Sequence, residues 1–160
     1  PPSSLTPPAP PAPAPDITTS SMNINENSGV SAVVGALATV DMTSPIFAET
    51  GNGTGAGLFQ VDATGNITVQ AAGLDFESVS SYTYEVQATD AGGAIITKML
   101  TINIGNLDDV AATLSVNTGG TLNEGGTTTI TSAMLAANDV DTANSGLTFT
   151  VVSPPANGVT

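Results

Sequence analysis

The sequence predicts an all-β chain: one sandwich of seven short strands, followed by the first strands of a second sandwich. Three observations carry this. From Ser81 to Asp90 the chain reads Ser-Tyr-Thr-Tyr-Glu-Val-Gln-Ala-Thr-Asp. Tyr82, Tyr84, Val86 and Ala88 therefore share one face, and Thr83, Glu85, Gln87 and Thr89 the other, the period-two signature of a half-buried strand. From Thr18 onward, short runs of Val, Ile, Thr and Leu are punctuated by Gly, Asn, Asp and Ser, which is sandwich texture rather than helical periodicity. Finally, the chain repeats itself. Ile24-Asn25-Glu26-Asn27 aligns with Leu122-Asn123-Glu124-Gly125, and Glu26 to Asp41 spans the same 15 positions as Glu124 to Asp139, an offset of 98 from Glu26 to Glu124.

Taken in order, residues 1–15 hold eight prolines, which fix φ and remove amide donors. They predict an extended polyproline linker, or a preordered tail that docks on a neighbouring molecule. Strands follow near 20–26, 31–40, 45–49, 57–62, 67–70, 81–90 and 95–105. On the last, Ile96, Leu100, Ile102 and Ile104 share a face with Lys98, whose alkyl stem can lie along the rim with its charge in water. Asn52-Gly53-Thr54-Gly55 and Ala63-Thr64-Gly65-Asn66 are turn chemistry. The organisation is thus a linker over 1–15, a sandwich over 16–106, an interdomain linker over 107–112 and an incomplete second domain over 113–160. A helix is the alternative only over Thr131 to Ala137. By the 98-residue offset the second copy closes near residue 204, so the piece from 113 to 160 holds about three strands. Either the polypeptide continues past Thr160, or a neighbouring chain completes the second sandwich along its open edge. The Pro-Pro start reads as a mature or excised piece of something larger.

Charge removes several classes of function. Lys98 is the single basic residue against 14 acidic ones, a net charge of −13, so phosphate backbones and anionic membranes are poor partners. No apolar run approaches the roughly 20 residues that span a bilayer. With no Cys and no His, disulfides, thiolate or imidazole metal sites and the common nucleophile–base pairs are all excluded. Any metal bound must be a hard cation that prefers oxygen. Asp75 and Glu77 stand two residues apart just before the clearest core strand. If that segment is extended, both carboxylates point the same way, and such a pair calls for a cation.

The residues resemble a known family. Asn25-Glu26-Asn27, Gly57 to Asp62 with Thr64-Gly65-Asn66-Ile67, Leu74-Asp75-Phe76-Glu77, Tyr82 to Asp90 with Gly92-Gly93, and Ile102 to Asp109 together resemble a cadherin-type repeat of bacterial surface proteins, over about 16–112. Residues 113–160, with Asn123-Glu124-Gly125-Gly126, Asp139-Val140-Asp141, Leu147 to Val151 and Pro154 to Gly158, resemble the proteoglycan-type cadherin-like repeats of giant adhesins. The resemblance implies a Greek-key cadherin- or immunoglobulin-like sandwich whose domain joints are stiffened by calcium. The ligands it implies are Glu26, Asp75 and Glu77 from the first domain, Asn106, Asp108 and Asp109 from the linker, and Asp139 and Asp141 from the second domain. Where the family linker reads Asp-x-Asn-Asp-Asn and ends in Pro, this chain has Asn106, Asp108, Asp109, Val110 and Ala112. Thr43 stands where Asp141 stands in the second copy, so Asp41 and Asp90, which match an upstream joint, lack a companion.

Other acidic residues have plainer readings: Asp16, Glu49, Asp62 and Glu85 read as surface charges or turn formers. A glycosidase pair is disfavoured, since the chain has no Trp and 4% aromatic residues to stack on a sugar. A flat threonine array for carbohydrate or ice is not legible either. Asn52-Gly53-Thr54 and Asn66-Ile67-Thr68 satisfy the glycosylation pattern on exposed turns. The expectation is a non-catalytic, extracellular module of a large bacterial surface or secreted protein, a calcium-stiffened spacer whose partners are further domains of the same polypeptide or identical subunits. The alternative is a subunit of a homopolymeric filament.

Overall fold

The computed structural model describes residues 13–153, which form two compact units that divide after Asn106. The prolines before Pro13, and Pro154 to Gly158, lie outside the described residues.

The first unit has nine strands: β1 (Asp16–Ile17), β2 (Ser21–Asn25), β3 (Val33–Ala36), β4 (Thr39–Val40), β5 (Ile46–Glu49), β6 (Phe59–Val61), β7 (Asn66–Val69), β8 (Ser81–Thr89) and β9 (Ile95–Gly105). The seven expected strands are all present. The expected strand over 31–40 is divided into β3 and β4, and the two-residue β1, which pairs antiparallel with β4, carried no legible period. One sheet runs β2-β9-β8-β5 and the other β3-β7-β6. All pairings in them are antiparallel except β2 with β9, which run parallel from Ser21↔Thr101 to Asn25↔Gly105.

The alternation of β8 sends Tyr84, Val86 and Ala88 into the core beside Leu100, Ile102 and Ile104 of β9. Phe59, Ile67 and Val69 of the smaller sheet complete it, and the Phe59 ring meets Tyr82 and Tyr84 edge-on at centroid distances of 5.8 and 6.1 Å. Edge-to-face geometry sets a positive ring edge against a negative ring face, which adds to the burial itself. The Tyr84 hydroxyl is not wasted in this core, because it donates to Glu49 Oε2 at 3.0 Å. Burial foremost, then that carboxylate, push the Tyr84 phenol above its usual range. Lys98 occupies the inward register of β9, and its ammonium reaches the rim and lies 3.3 Å from Asp16 of β1. The rim position was legible; the partner was not.

The second unit contains β10 (Thr113–Asn117) and β11 (Leu135–Asn138), antiparallel with a bulge between Leu114 and Val116, and one 3₁₀ turn over Asn144–Gly146. The helix considered for Thr131 to Ala137 does not form; its end is β11. β10 and β11 repeat β1 and β4. Shifted by 98, the pair Ile17↔Thr39 falls on positions 115 and 137, and the observed pair is Leu114↔Ala137, one residue away at the bulge. Leu114, Leu122, Ile130, Phe149, Val151 and Val152 are exposed.

Gly65 closes the β6–β7 hairpin at φ +92°, where a Cβ would stand 2.8 Å from the Phe47 ring. Both the backbone and the neighbour therefore require glycine. Gly65→Ala is expected to lower unfolding free energy by about 1–3 kcal/mol, and Phe59→Ala by about 3–5 kcal/mol. Val33→Ala, at an exposed position, should stay within about 0.5 kcal/mol. Urea denaturation of the three variants checks this.

Candidate metal centre

Glu26 immediately follows β2, and its amide donates to the Gly105 carbonyl at 3.0 Å, continuing the parallel pairing with β9. The next amide, of Asn27, donates to the Leu74 carbonyl at 2.9 Å, with Asn27 in the left-handed region at φ +57°. These two bonds hold Glu26 under the Leu74–Glu77 segment, where its side chain is 2% exposed. Glu26 Oε2 accepts the Phe76 amide at 2.8 Å.

The Leu74–Glu77 segment is not the extended stretch that the spacing suggested. The Val79 amide donates to the Asp75 carbonyl at 2.9 Å, which winds residues 76–78 into one turn. Asp75 caps it: Oδ1 accepts the Ser78 amide at 3.2 Å and Oδ2 accepts the Ser78 hydroxyl at 2.7 Å. The Ser78 hydroxyl and amide hold the Asp75 carboxyl below its ordinary range. The turn still brings the carboxylates together: Glu26, Asp75 and Glu77 each offer an oxygen, all within 4.8 Å of one another.

A second group lies in the second unit. Asp108, Asp139 and Asp141 each offer a carboxylate oxygen within 4.8 Å of the others. Asp139 Oδ1 accepts the amides of Asp141 and Thr142 at 2.8 and 3.0 Å, closing the Asp139-Val140-Asp141 turn. Asp141 Oδ2 accepts the amides of Asp109 and Val110 at 3.1 and 2.7 Å and so orders the start of the unit. Asn106 is exposed directly after β9, and Glu124 is exposed and belongs to neither group.

The donor set fits a hard divalent cation. All six side chains of the two groups carry carboxyl oxygens, the donor chemistry that calcium takes. Glu26 is a buried acidic side chain, and the chain's one basic side chain is engaged with Asp16 instead.

Three further acidic residues, Asp62, Asp90 and Glu85, serve local hydrogen bonding. Asp62 Oδ1 accepts the Thr64 amide, the Thr64 hydroxyl and the Asn66 amide at 2.8, 2.7 and 3.0 Å. Those bonds, led by the Thr64 hydroxyl, hold its carboxyl far below the ordinary range. Asp90 accepts the amides of Gly92 and Thr43, and these bonds lower its pKa. Its oxygens latch the β8–β9 turn to the segment before β5, the role that sequence reasoning missed. Glu85 accepts from the Asn52 and Thr50 side chains, each at 2.7 Å, which likewise depress it. The side-chain nitrogens of the two glycosylation-pattern asparagines are both hydrogen-bonded, Asn52 to Glu85 and Asn66 to Asp62 and Thr64.

Residues 113–160 match the family model described as cadherin-like. Among solved structures the chain is similar to the crystal structure of human protocadherin-24 EC1-2, with TM-score 0.60 and 18% identity, covering 81% of this chain and 61% of that one. The human desmocollin-1 ectodomain matches with TM-score 0.56 and 20% identity over 66% of this chain. The third cadherin domain of human protocadherin 7 matches with TM-score 0.52 and 17% identity, over 68% of this chain and 99% of that domain. No curated protein matches. The chain spans 22% of the desmocollin-1 ectodomain. Residues 113–160 thus match a cadherin-like family model, and the sandwich fold is one that cadherin ectodomains share. Among the described residues no helix is long and apolar enough to cross a membrane.

The depressed carboxyls set a pH signature. Asp62 binds its proton less readily folded than unfolded, so the stability it contributes is complete above the unfolded carboxyl range of about 4 and is lost as pH falls below it. In EDTA, Asp62→Asn should lower the urea midpoint at pH 7, and its gap from wild type should shrink as pH drops from about 4 toward 2.

Proposed function

We propose that this chain is a non-catalytic, extracellular spacer module of a large bacterial surface protein, in which calcium stiffens consecutive cadherin-like sandwiches. The observation that carries this reading is the pair of carboxylate triads, one in each unit: Glu26, Asp75 and Glu77, and Asp108, Asp139 and Asp141. Bound calcium would supply the positive charge that a chain of net −13 lacks beside these groups. Glu26 contributes a buried oxygen fixed by the Phe76 amide, and Asp75 an oxygen already held ionised by Ser78. Asp109 and Asn106 add donors from the linker. In sequence Glu26, Asp75 and Glu77 precede residues 106–112, Asp108 lies within them and Asp139 and Asp141 follow, and domain joints are otherwise small and mobile. Restricting that joint would turn a string of domains into a rod. The similarity to the human protocadherin and desmocollin structures supports the extracellular and adhesive setting by fold alone.

A second reading, a filament subunit completed by a neighbouring chain, is favoured by one observation. The exposed Ile130, Phe149 and Val151 line a groove of about 510 Å³ within the second unit. An edge strand suits it better than the prolines, which cannot donate a ladder of amides.

Calcium titrated into the EDTA-treated chain should raise the melting temperature, by about 2.7 kcal/mol of stability at a hundredfold excess over the dissociation constant. Small-angle scattering should show a narrower distribution of shapes with calcium. Glu26→Gln and Asp139→Asn should each remove binding at one triad, read by calorimetric stoichiometry. An unchanged melting curve and no heat of binding would sink the calcium reading. Filaments that dissolve when the groove is blocked by Phe149→Ser would favour the second.

A further inference from the structure

We propose that the Asn52–Gly53 peptide is a latent site of deamidation, and that Glu85 is the residue that keeps it closed. The chain contains two Asn-Gly pairs, Asn52-Gly53 and Asn157-Gly158. In such a pair the chain can attack itself. The main-chain nitrogen of the glycine, having given its proton to hydroxide, bonds to the asparagine Cγ, and the Cγ–Nδ2 bond breaks to release ammonia. Water then opens the five-membered imide at either carbonyl and leaves aspartate or isoaspartate, one water taken up for each ammonia lost. Glycine is the successor that permits this most readily, because no Cβ shields its nitrogen.

The fold does not let the sequence avoid the hazard. Gly53 stands at φ +99°, and a Cβ there would collide with the Thr83 carbonyl, so no other residue fits. Asn52 is exposed, so water and hydroxide reach it. Its side chain is equally committed, since Nδ2 donates to Glu85 Oε2 at 2.7 Å and ties the loop to β8. Protection must therefore come from the folded structure.

To bring its Cγ onto the Gly53 nitrogen, Asn52 must turn about its Cα–C bond and its side-chain bonds. Glu85 restrains both. Its amide donates to the Asn52 carbonyl at 3.1 Å and fixes the main chain, while its Oε2 holds the carboxamide. Thr50 Oγ1 donates to the same Oε2 at 2.7 Å and steadies the carboxylate. Beyond Gly53, the Thr54 amide donates to Thr83 Oγ1 at 3.0 Å and the Gly55 amide to the Thr83 carbonyl at 2.8 Å. The reacting peptide is thus bracketed by β8 on both sides. Conversion, once made, undoes the bracket: an aspartate at position 52 sets a second carboxylate against Glu85 in place of a donor, and like charges repel.

The test is to hold the full chain at mildly alkaline pH, then unfold it and cut after Lys98. Fragments 1–98 and 99–160 each carry one Asn-Gly pair, so mass and isoaspartate content report the two separately. Asn52 should convert about tenfold or more slowly in the folded chain than in the chain held in urea. Glu85→Ala should raise the folded-state rate at Asn52 by about tenfold, the worth of a hydrogen bond to a charged group, and leave fragment 99–160 as in wild type. Glu85→Gln, whose side-chain carbonyl can still accept from Asn52, should restore most of the protection. Ile67→Val, which loosens the core without touching the loop, should leave the Asn52 rate unchanged. Should Glu85→Ala unfold, Thr50→Val removes the hydroxyl that steadies the carboxylate and should raise the rate severalfold. Asn52→Asp should lower the urea midpoint, and adding Glu85→Gln should recover part of the loss. The proposal is overturned by a folded chain that converts at Asn52 as fast as in urea, or by a rate that stays at the wild-type value in the folded Glu85→Ala or Thr50→Val chain. An equal rise in Ile67→Val overturns it too, since protection would then belong to global stability. None of these readouts involves calcium, so the spacer reading stands or falls separately.

Discussion

The parallel pairing of β2 with β9 is the constraint on which the rest of the first unit depends. It joins the start of the sandwich to its last strand across 80 residues, from Ser21↔Thr101 to Asn25↔Gly105. Through it, Met22 and Ile24 are placed in the core beside Ile102 and Ile104. One further rung, from the Glu26 amide to Gly105, delivers a carboxylate to the end of the sheet and buries it there. Were β2 to shift by one residue, its side chains would exchange faces and Glu26 would turn away from the Phe76 amide.

Electrostatics imposes the second constraint. A chain with one cation cannot neutralise its carboxylates by ion pairing, so it distributes them among hydrogen-bond donors. Asp62, Asp75 and Asp90 each collect backbone amides at a turn, and Glu85 collects two side chains. In this way acidity shapes loops. The triads differ from those groups in that several carboxylates converge.

Much of this was legible in the residues. Period-two patterning located β8 and β9, and turn residues bounded the others. The residues of the triads were named through the resemblance, though not their grouping, and the extended backbone supposed for Asp75 and Glu77 does not occur. The two residues meet Glu26 because Asp75 winds a turn over it, not because an extended chain alternates. Strand β1 escaped notice since two residues cannot display a period. Asp16 as the partner of Lys98, Tyr84 of Glu49 and Thr43 of Asp90 were hidden for a different reason: each lies tens of residues away, and only the folded register brings them near. The second unit shows the converse, a repeat clear in sequence whose described part forms a single strand pair with apolar side chains outside.

The direction of the β2–β9 pair has a mechanical meaning. Tension applied between Ser21 and Gly105 draws two parallel strands past each other lengthwise, so their rungs are loaded together rather than peeled one after another. Resistance to pulling is then high along the line from the start of β2 to the end of β9.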